Sequence, residues 1–439
     1  MTLTRLLRDT FAALGQAWNQ IWFQDSPTTP LEITRIGVGA AVLLHYTLAI
    51  PLLFEMWGND GWAPREVALS IRAPWMQSIF FYLDAPWQLA AFHGLFLLCC
   101  AALMVGWRTS WVKWIVLVGH ISYVYRNLTL VYGVDWIVSS LVFIMCIAPV
   151  GRAWSLDRVR AVRKAKLRNL ETNLETNLPP YHSPWTGACI RLMQIQMAVI
   201  FFYSAISKLN ADIWLNGDAV WIMFTSDDYY HSIMVALLAS HYWIGNLATY
   251  GTVLVEIAFP FLIWQRSTRP YLLAAAIILH LLFAFLMGLF YFSFVMVMGH
   301  ASFVRPEWLM RLGAAWKRAM GEMEMIYDGK CGFCVRSMAW FLAFDGLGQI
   351  KVRNFRTDPS PVVSDAQMEK ALYLVLPDGR ALPGFEAYRY VVLRVPGLWW
   401  QVPLFYLPVL SRLIGRPLYN WVASNRSLLS SIMNRRVTG

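Results

Sequence analysis

The chain predicts a polytopic α-helical membrane domain of about eight spans, followed by a small thioredoxin-like α/β domain. Three observations carry that prediction. Of 439 residues, 58% are hydrophobic and only 14% are charged, against about 25% charged in an ordinary soluble domain. Long apolar runs recur up to residue 304, and beyond 305 the composition becomes that of a soluble α/β domain. Just past that boundary, "MEMIYDGKCGFCVRS", Met323 to Ser337, sets Cys331 and Cys334 two residues apart where a strand runs into a helix. The expected order is an interfacial N-terminal helix over 1–30, a membrane domain over 31–304, a linker over 305–321 and an α/β domain over 322–439.

The N-terminal element rests on Leu3, Leu6, Leu7, Phe11, Leu14, Trp18 and Ile21, which fall near helical spacing with Arg5, Arg8, Asp9 and Gln16 between them. That pattern reads as an amphipathic helix lying in the interface, not as a signal peptide. A spanning helix needs roughly 20 apolar residues. Candidates fall at 31–54, 86–106, 111–131, 134–150, 185–209, 246–264, 271–287 and 289–304. The apolar stretch from Ser232 to Ser240 is too short to span and reads as a re-entrant or surface helix. The 22 Trp suit aromatic interface belts.

Lys and Arg set the orientation. Seven lie between Arg152 and Arg168. Others mark the loops at Arg108 and Lys113, at Arg266 and Arg269, and after the last span. Eight spans put all of these on one side, with Arg5 and Arg8. None occurs from Leu209 to Gln265, where Asp212, Asp218, Asp227 and Asp228 appear. The asymmetry predicts an inner-membrane, multi-pass protein with both termini cytoplasmic. It also accounts for the net charge of +11 without nucleic acid as a partner. The loop 151–184, with the duplication "NLETNLETNL", reads as a solvated connector.

Ionisable groups inside a bilayer default to a functional reading. Arg35, His45, His93, His120, Arg126, Asp135, Lys208, Glu256, His280 and His300 are the candidates, with Arg35 and Arg126 placed to snorkel at span ends. Lys208 ends its span on the non-cytoplasmic side, against the positive-inside preference. A desolvated lysine there acts as a base or binds an anion. Glu256 lies mid-span with no basic neighbour in sequence, so the two either form an ion pair or serve a ligand. Cys99, Cys100, Cys146 and Cys189 lie in apolar segments as small hydrophobes.

In the soluble half, Glu322–Tyr327, Gln349–Phe355 and Ala371–Leu376 read as strands. "PDGR" turns the last into a short fourth. Helices follow at 385–395, 402–414 and 417–432. Backbone N–H groups at a helix N-terminus favour a thiolate, so Cys331 reads as nucleophile and Cys334 as resolving thiol. Asp328 either caps the turn or accepts a proton near the pair. Zinc needs two more ligands, and no Cys or His follows Cys334.

Four segments in order resemble the HTTM domain of the vitamin K-dependent gamma-carboxylase superfamily: "YRNLTLVYGVDWIVSSLVFIMCIAPVGRAWSLD", "FYSAISKLNADIWLNGDAVW", "VEIAFPFLIW" and "HLLFAFLMGLFYFSFVM". The resemblance implies that Lys208 is the base that deprotonates a reduced quinone. It implies a quinone-like ligand, with Lys208, Glu256, His280 and Asp135 assigned to hold it. The carboxylase's large lumenal C-terminal region has no counterpart here. "YDGKCGFC" resembles the DCC family, named for D-x-x-C-x-x-C (Asp328, Cys331, Cys334), as do "LPDGRALPGFEAYRYVV", with Gly384 and Ala387, and "LYNWVASNR". That resemblance implies thiol–disulfide oxidoreductase activity with cytoplasmic thiols or disulfides as partners. No proline immediately precedes Ala371–Leu376 to form a substrate loop.

The expectation is a membrane thiol–disulfide oxidoreductase whose membrane domain binds a quinone-like lipophile. The alternatives are a carboxylase-like enzyme using Lys208, with the dithiol domain recycling it, and a redox-switched sensor or transporter. Sites on opposite faces would lie about 30 Å apart by bilayer thickness. The first reading therefore requires a mobile quinone or a second cytoplasmic-side site.

Overall fold

A computed structural model describes residues 3–172, 181–226, 240–369 and 371–434. The chain divides into two compact units, one of Met1–Asp157 with Pro180–Arg305, the other of Arg158–Pro179 with Pro306–Gly439.

The first unit is helical. Its helices are α1 Leu3–Trp22, α2 Thr29–Leu48, α3 Pro86–Val105, α4 Thr109–Arg126 and α5 Gly133–Ile147. After the connector helix α6, Leu156–Thr172, come α7 Pro184–Leu209, α8 Tyr242–Leu262, α9 Arg269–Met287 and α10 Phe290–His300. Helices α3, α7, α8 and α9 are long and apolar enough to cross a membrane. A fifth joins them if α2 is counted with the helical turns at Ile50–Trp57, to which it is bent by 48°. A helix thus stands at each of the expected span positions, with α4, α5 and α10 outside the set that qualifies by length and composition. The expected surface helix from Ser232 falls on 227–239 and so lies outside the described residues.

Arg35 and Arg126 do not snorkel; both are fully buried. Arg35 Nε is 2.7 Å from Glu32 Oε2, and its Nη atoms donate to the carbonyls of Leu103, Met104 and Trp154. Glu32 Oε1 in turn accepts from the N–H groups of Gly151, Arg152 and Ala153. Arg126 donates to the carbonyls of Ala63 and Gly58. Each guanidinium finds several oxygens at a loop, so neither has to reach water.

The connector also departs from the solvated reading. From Arg158 onward it belongs to the second unit. Leu167 and Leu170 pack against that unit's core, and the Arg163 guanidinium lies 4.5 Å over the Trp340 ring. Residues 173–180 of the duplication lie outside the described residues.

The second unit holds a four-stranded sheet. Its elements are α11 Pro306–Met320, β1 Met323–Tyr327, α12 Gly332–Phe344, β2 Ile350–Asn354, β3 Tyr373–Val375, β4 Ala381–Pro383 and α13 Gly384–Arg394, with α14 Arg416–Ser424 and α15 Arg426–Asn434 near the C-terminus. The expected linker 305–321 is thus largely helix α11. The sheet order is β2-β1-β3-β4. β1 runs parallel to β2, with Met323 opposite Ile350, and antiparallel to β3, with Met325 opposite Leu374. The β1–α12–β2 crossover puts α12 on one sheet face, where Val335, Met338 and Phe341 meet Met325 and Leu374 in the core. That geometry leaves the N-terminus of α12 at the C-terminal edge of β1, the usual place for a site in an open α/β sheet.

Candidate functional site

The dithiol turn is built by β1, by the end of β2 and by the start of α12. Cys331 is the N-cap of α12, and its Sγ accepts from Cys334 N–H at 3.4 Å. Its backbone N–H donates to Asp328 O. Asp328 Oδ1 accepts from Lys330 N–H at 2.9 Å, closing the turn. Arg356, just past β2, donates to both Asp328 oxygens at 3.0 and 3.1 Å and reaches Glu369 at 2.9 Å. Gly329 N–H donates to Asn354 Oδ1, and a Cβ on Gly329 would strike that side chain.

Both thiols are unbridged and partly buried. Interaction with the Cys334 thiol does most to favour the Cys331 thiolate, and burial works against ionisation. The N–H groups of Cys334 and Phe333 add to the first effect, and the Cys331 thiol falls from 9.0 to about 6. Cys334 is pushed well up, by that same interaction, by burial and by the neighbouring sulfur charge. One sulfur is therefore a thiolate at neutral pH while the other holds its proton, the polarity a nucleophile and a resolving thiol require. For Asp328, burial pulls upward, but Arg356 and the Lys330 N–H outweigh it and the carboxyl lies below its ordinary range. It is a carboxylate already committed to the turn and to Arg356.

Three residues that sequence reasoning did not assign complete this site. Arg356 holds Asp328. Tyr419 and Arg426 lie within electrostatic reach of Cys334; burial above all raises the Tyr419 hydroxyl to about 12. Tyr419 and Arg426 sit in "LYNWVASNR", so the segment was visible and only its contact with the thiols was not. Gly384 opens α13 at φ +56°, and the Tyr419 hydroxyl would stand 3.3 Å from a Cβ there.

In the membrane unit, Lys208 Nζ donates to Glu256 Oε1 at 2.9 Å, lies equally near Oε2, and donates to Ser204 Oγ at 2.7 Å. The ion-pair alternative is the one the structure presents. The ammonium also lies 4.9 Å over the Trp214 ring. His280 is buried among aromatic rings, its Nδ1 bonded to Ala276 O at 2.7 Å and its ring 5.4 Å from that of His300. Asp135 stands elsewhere again. Its Oδ2 accepts from Tyr132 N–H at 3.0 Å, and its carbonyl is 3.1 Å from His120 Nε2. Lys208 and Glu256 are thus brought together, with His280 within electrostatic reach of Lys208 and Asp135 in another cluster. Cys331, Cys334 and Asp328 form one site.

A unit with apolar helices long enough to span a bilayer and an α/β unit with a CxxC dithiol define a membrane protein that carries a dithiol domain. Comparison with known families agrees. The HTTM domain family matches residues 24–308, well over half the chain, and the protein belongs to that family. The DCC1-like thiol-disulfide oxidoreductase family matches residues 325–431. The uncharacterized protein YitO of Bacillus subtilis (strain 168) is 28% identical over 111 residues, 24% of this chain. This chain spans about a third, 35%, of that relative's length. No solved structure matches.

Proposed function

We propose that the chain is a multi-pass inner-membrane thiol–disulfide oxidoreductase, of about eight spans, whose thioredoxin-like domain works in the cytoplasm. The thiolate character of Cys331 beside a protonated Cys334 carries this reading. Cys331 Sγ attacks a substrate disulfide, forming a mixed disulfide and releasing one thiolate. Cys334, losing its proton, attacks Cys331 Sγ, closes the intramolecular disulfide and releases the second thiol. The dithiol thereby gives up two electrons and two protons to its acceptor. With a quinone as that acceptor, dithiol and quinone become disulfide and quinol. The sheet order β2-β1-β3-β4 and the dithiol at the β1–α12 junction support the thioredoxin-like assignment. The Lys and Arg asymmetry supports the cytoplasmic one.

The Lys208 site offers an ammonium with a hydroxyl and an indole face beside it. Such donors suit the carbonyl oxygen and ring of a quinone-like lipophile, with Glu256 holding the lysine in place. The same residues favour a second reading, in which Lys208 performs carboxylase-like proton abstraction and the dithiol domain recycles or regulates. A thiol count on reduced, anaerobic protein before and after adding a quinone tests the first reading, with Cys334→Ser as control. Loss of two thiols in step with quinol formation is expected. Oxidation by glutathione disulfide alone would sever the quinone link and leave a separate thiol module. A Lys208→Ala variant that loses all turnover while Cys331→Ser merely slows it would favour the second reading.

A further inference from the structure

The soluble unit carries an apolar surface that the redox chemistry does not use. In "YLPVLSRLIGRPLYNW", residues 406–421, Leu407, Val409, Leu413, Leu418 and Trp421 are all exposed, Leu413 at 69%. Trp400, just before, is exposed at 69% as well. Among the described residues of the second unit none covers these side chains. Arg412 and Arg416 interleave with the apolar residues. From Ala387 to Gly439 the sequence has seven Arg and no Asp or Glu. The nearest acid, Glu386, lies 3.2 Å from Arg416 and from Arg389. A groove of about 680 Å³ lined by Trp316, Met320, Leu393, Arg394, Trp399 and Val402 directly precedes the ridge in sequence. Its walls are apolar apart from one guanidinium.

We propose that residues 399–421 form a surface anchor that seats the soluble unit in the headgroup region of an anionic bilayer. Charge decides between the occupants. A lipid surface supplies an apolar layer beneath a negative one, which matches aliphatic and indole side chains interleaved with arginine. A second copy of the chain would set the same patch against itself, placing Arg412 and Arg416 against like charges with only Glu386, shared with Arg389, to offset them. The helix that carries Leu418 and Trp421 also carries Tyr419, which packs inward on the core that includes Cys334. The anchor therefore holds the dithiol at the water–lipid boundary. It does not depend on which substrate the dithiol takes, and its test involves no redox reaction.

The test uses the full chain, reduced, in nanodiscs. A fluorescent amino acid is incorporated at position 413 or, as control, at 378 in the exposed turn between β3 and β4. In discs containing phosphatidylglycerol, the probe at 413 should be quenched by nitroxide-labelled lipid and shielded from iodide, and the probe at 378 the reverse. Arg412→Glu with Arg416→Glu, or pure phosphatidylcholine, should raise iodide quenching at 413 several-fold. Equal iodide access at 413 and 378 in anionic discs overturns the proposal. So does shielding that disappears when each disc holds one protein, which would mark a self-association face. An unchanged pH profile of Cys331 alkylation in the Arg412→Glu, Arg416→Glu protein shows that the fold survives those changes.

Discussion

Removing the Cys334 thiol by Cys334→Ala should raise the acid midpoint of Cys331, because the Cys334 S–H is the largest influence holding that thiol at about 6. The backbone N–H groups at the helix start remain, so the midpoint should climb but stay below 9.0. At pH 7 a thiol of pKa about 6 is about 90% ionised, against about 1% for one at 9.0. A less basic thiolate is also less nucleophilic, and a Brønsted slope of about 0.45 takes back about twentyfold. The net gain in rate is then only about fourfold at pH 7 but about 25-fold at pH 6. The pH profile therefore discriminates where a single rate does not. The assay is alkylation of the reduced protein from pH 4 to 10, followed by mass spectrometry of the Cys331 peptide. A wild-type midpoint between 8 and 9, or one that Cys334→Ala leaves in place, would refute the polarised dithiol.

The same ionisation fixes two signs. The folded thiol is the stronger acid, so its contribution to the stability of the reduced form is complete above the unfolded thiol's range. That contribution is lost as pH falls through about 6. Denaturation of the soluble unit followed against pH should show stability falling from about pH 9 down through about 6 in reduced wild type and a flatter curve in Cys331→Ser. A thiolate that stabilises the reduced state makes the disulfide more oxidising. Equilibration with glutathione should give a potential between about −270 and about −120 mV, the reducing and oxidising ends known for CxxC oxidoreductases. Gly384→Ala should cost about 1–2 kcal/mol, since it forces a side chain into the left-handed region and toward Tyr419; urea unfolding measures this. Glu32→Ala strips the fully buried Arg35 of its carboxylate, a loss of about 3–5 kcal/mol, and should appear as a membrane unit that no longer resists protease.

What could be read in advance was local. Strand β1, the CxxC turn and α12 are contiguous, and apolar runs mark the eight expected span positions, each of which holds a helix. What closes the site is not local. Arg356 lies 28 residues from Asp328, and Tyr419 and Arg426 lie further still, so residue types were visible but not their convergence. The buried arginines show the same limit. Glu32 and Arg35 stand three apart on one helix, yet by sequence alone Arg35 reads as reaching for water rather than for Glu32. The carbonyls of Leu103, Met104 and Trp154 that replace water around Arg35 come from segments that only the fold brings there.

The connector helix is the most instructive miss, because its composition argued for solvent. Seven basic residues within Arg152–Arg168 obscured Leu167 and Leu170, three apart and aimed at the core of the second unit. Arg163 is not spent on solvation; it lies over Trp340, a residue of the helix that begins at Cys331. The second unit is therefore threaded by two pieces of chain. One runs on from α10, and the other is a loop whose two ends return to α5 and α7. A shift of α12 is met first by Arg163 at Trp340, a contact within the second unit. This linkage is the physical content available to the redox-switch alternative, and it needs no lipophilic ligand to operate.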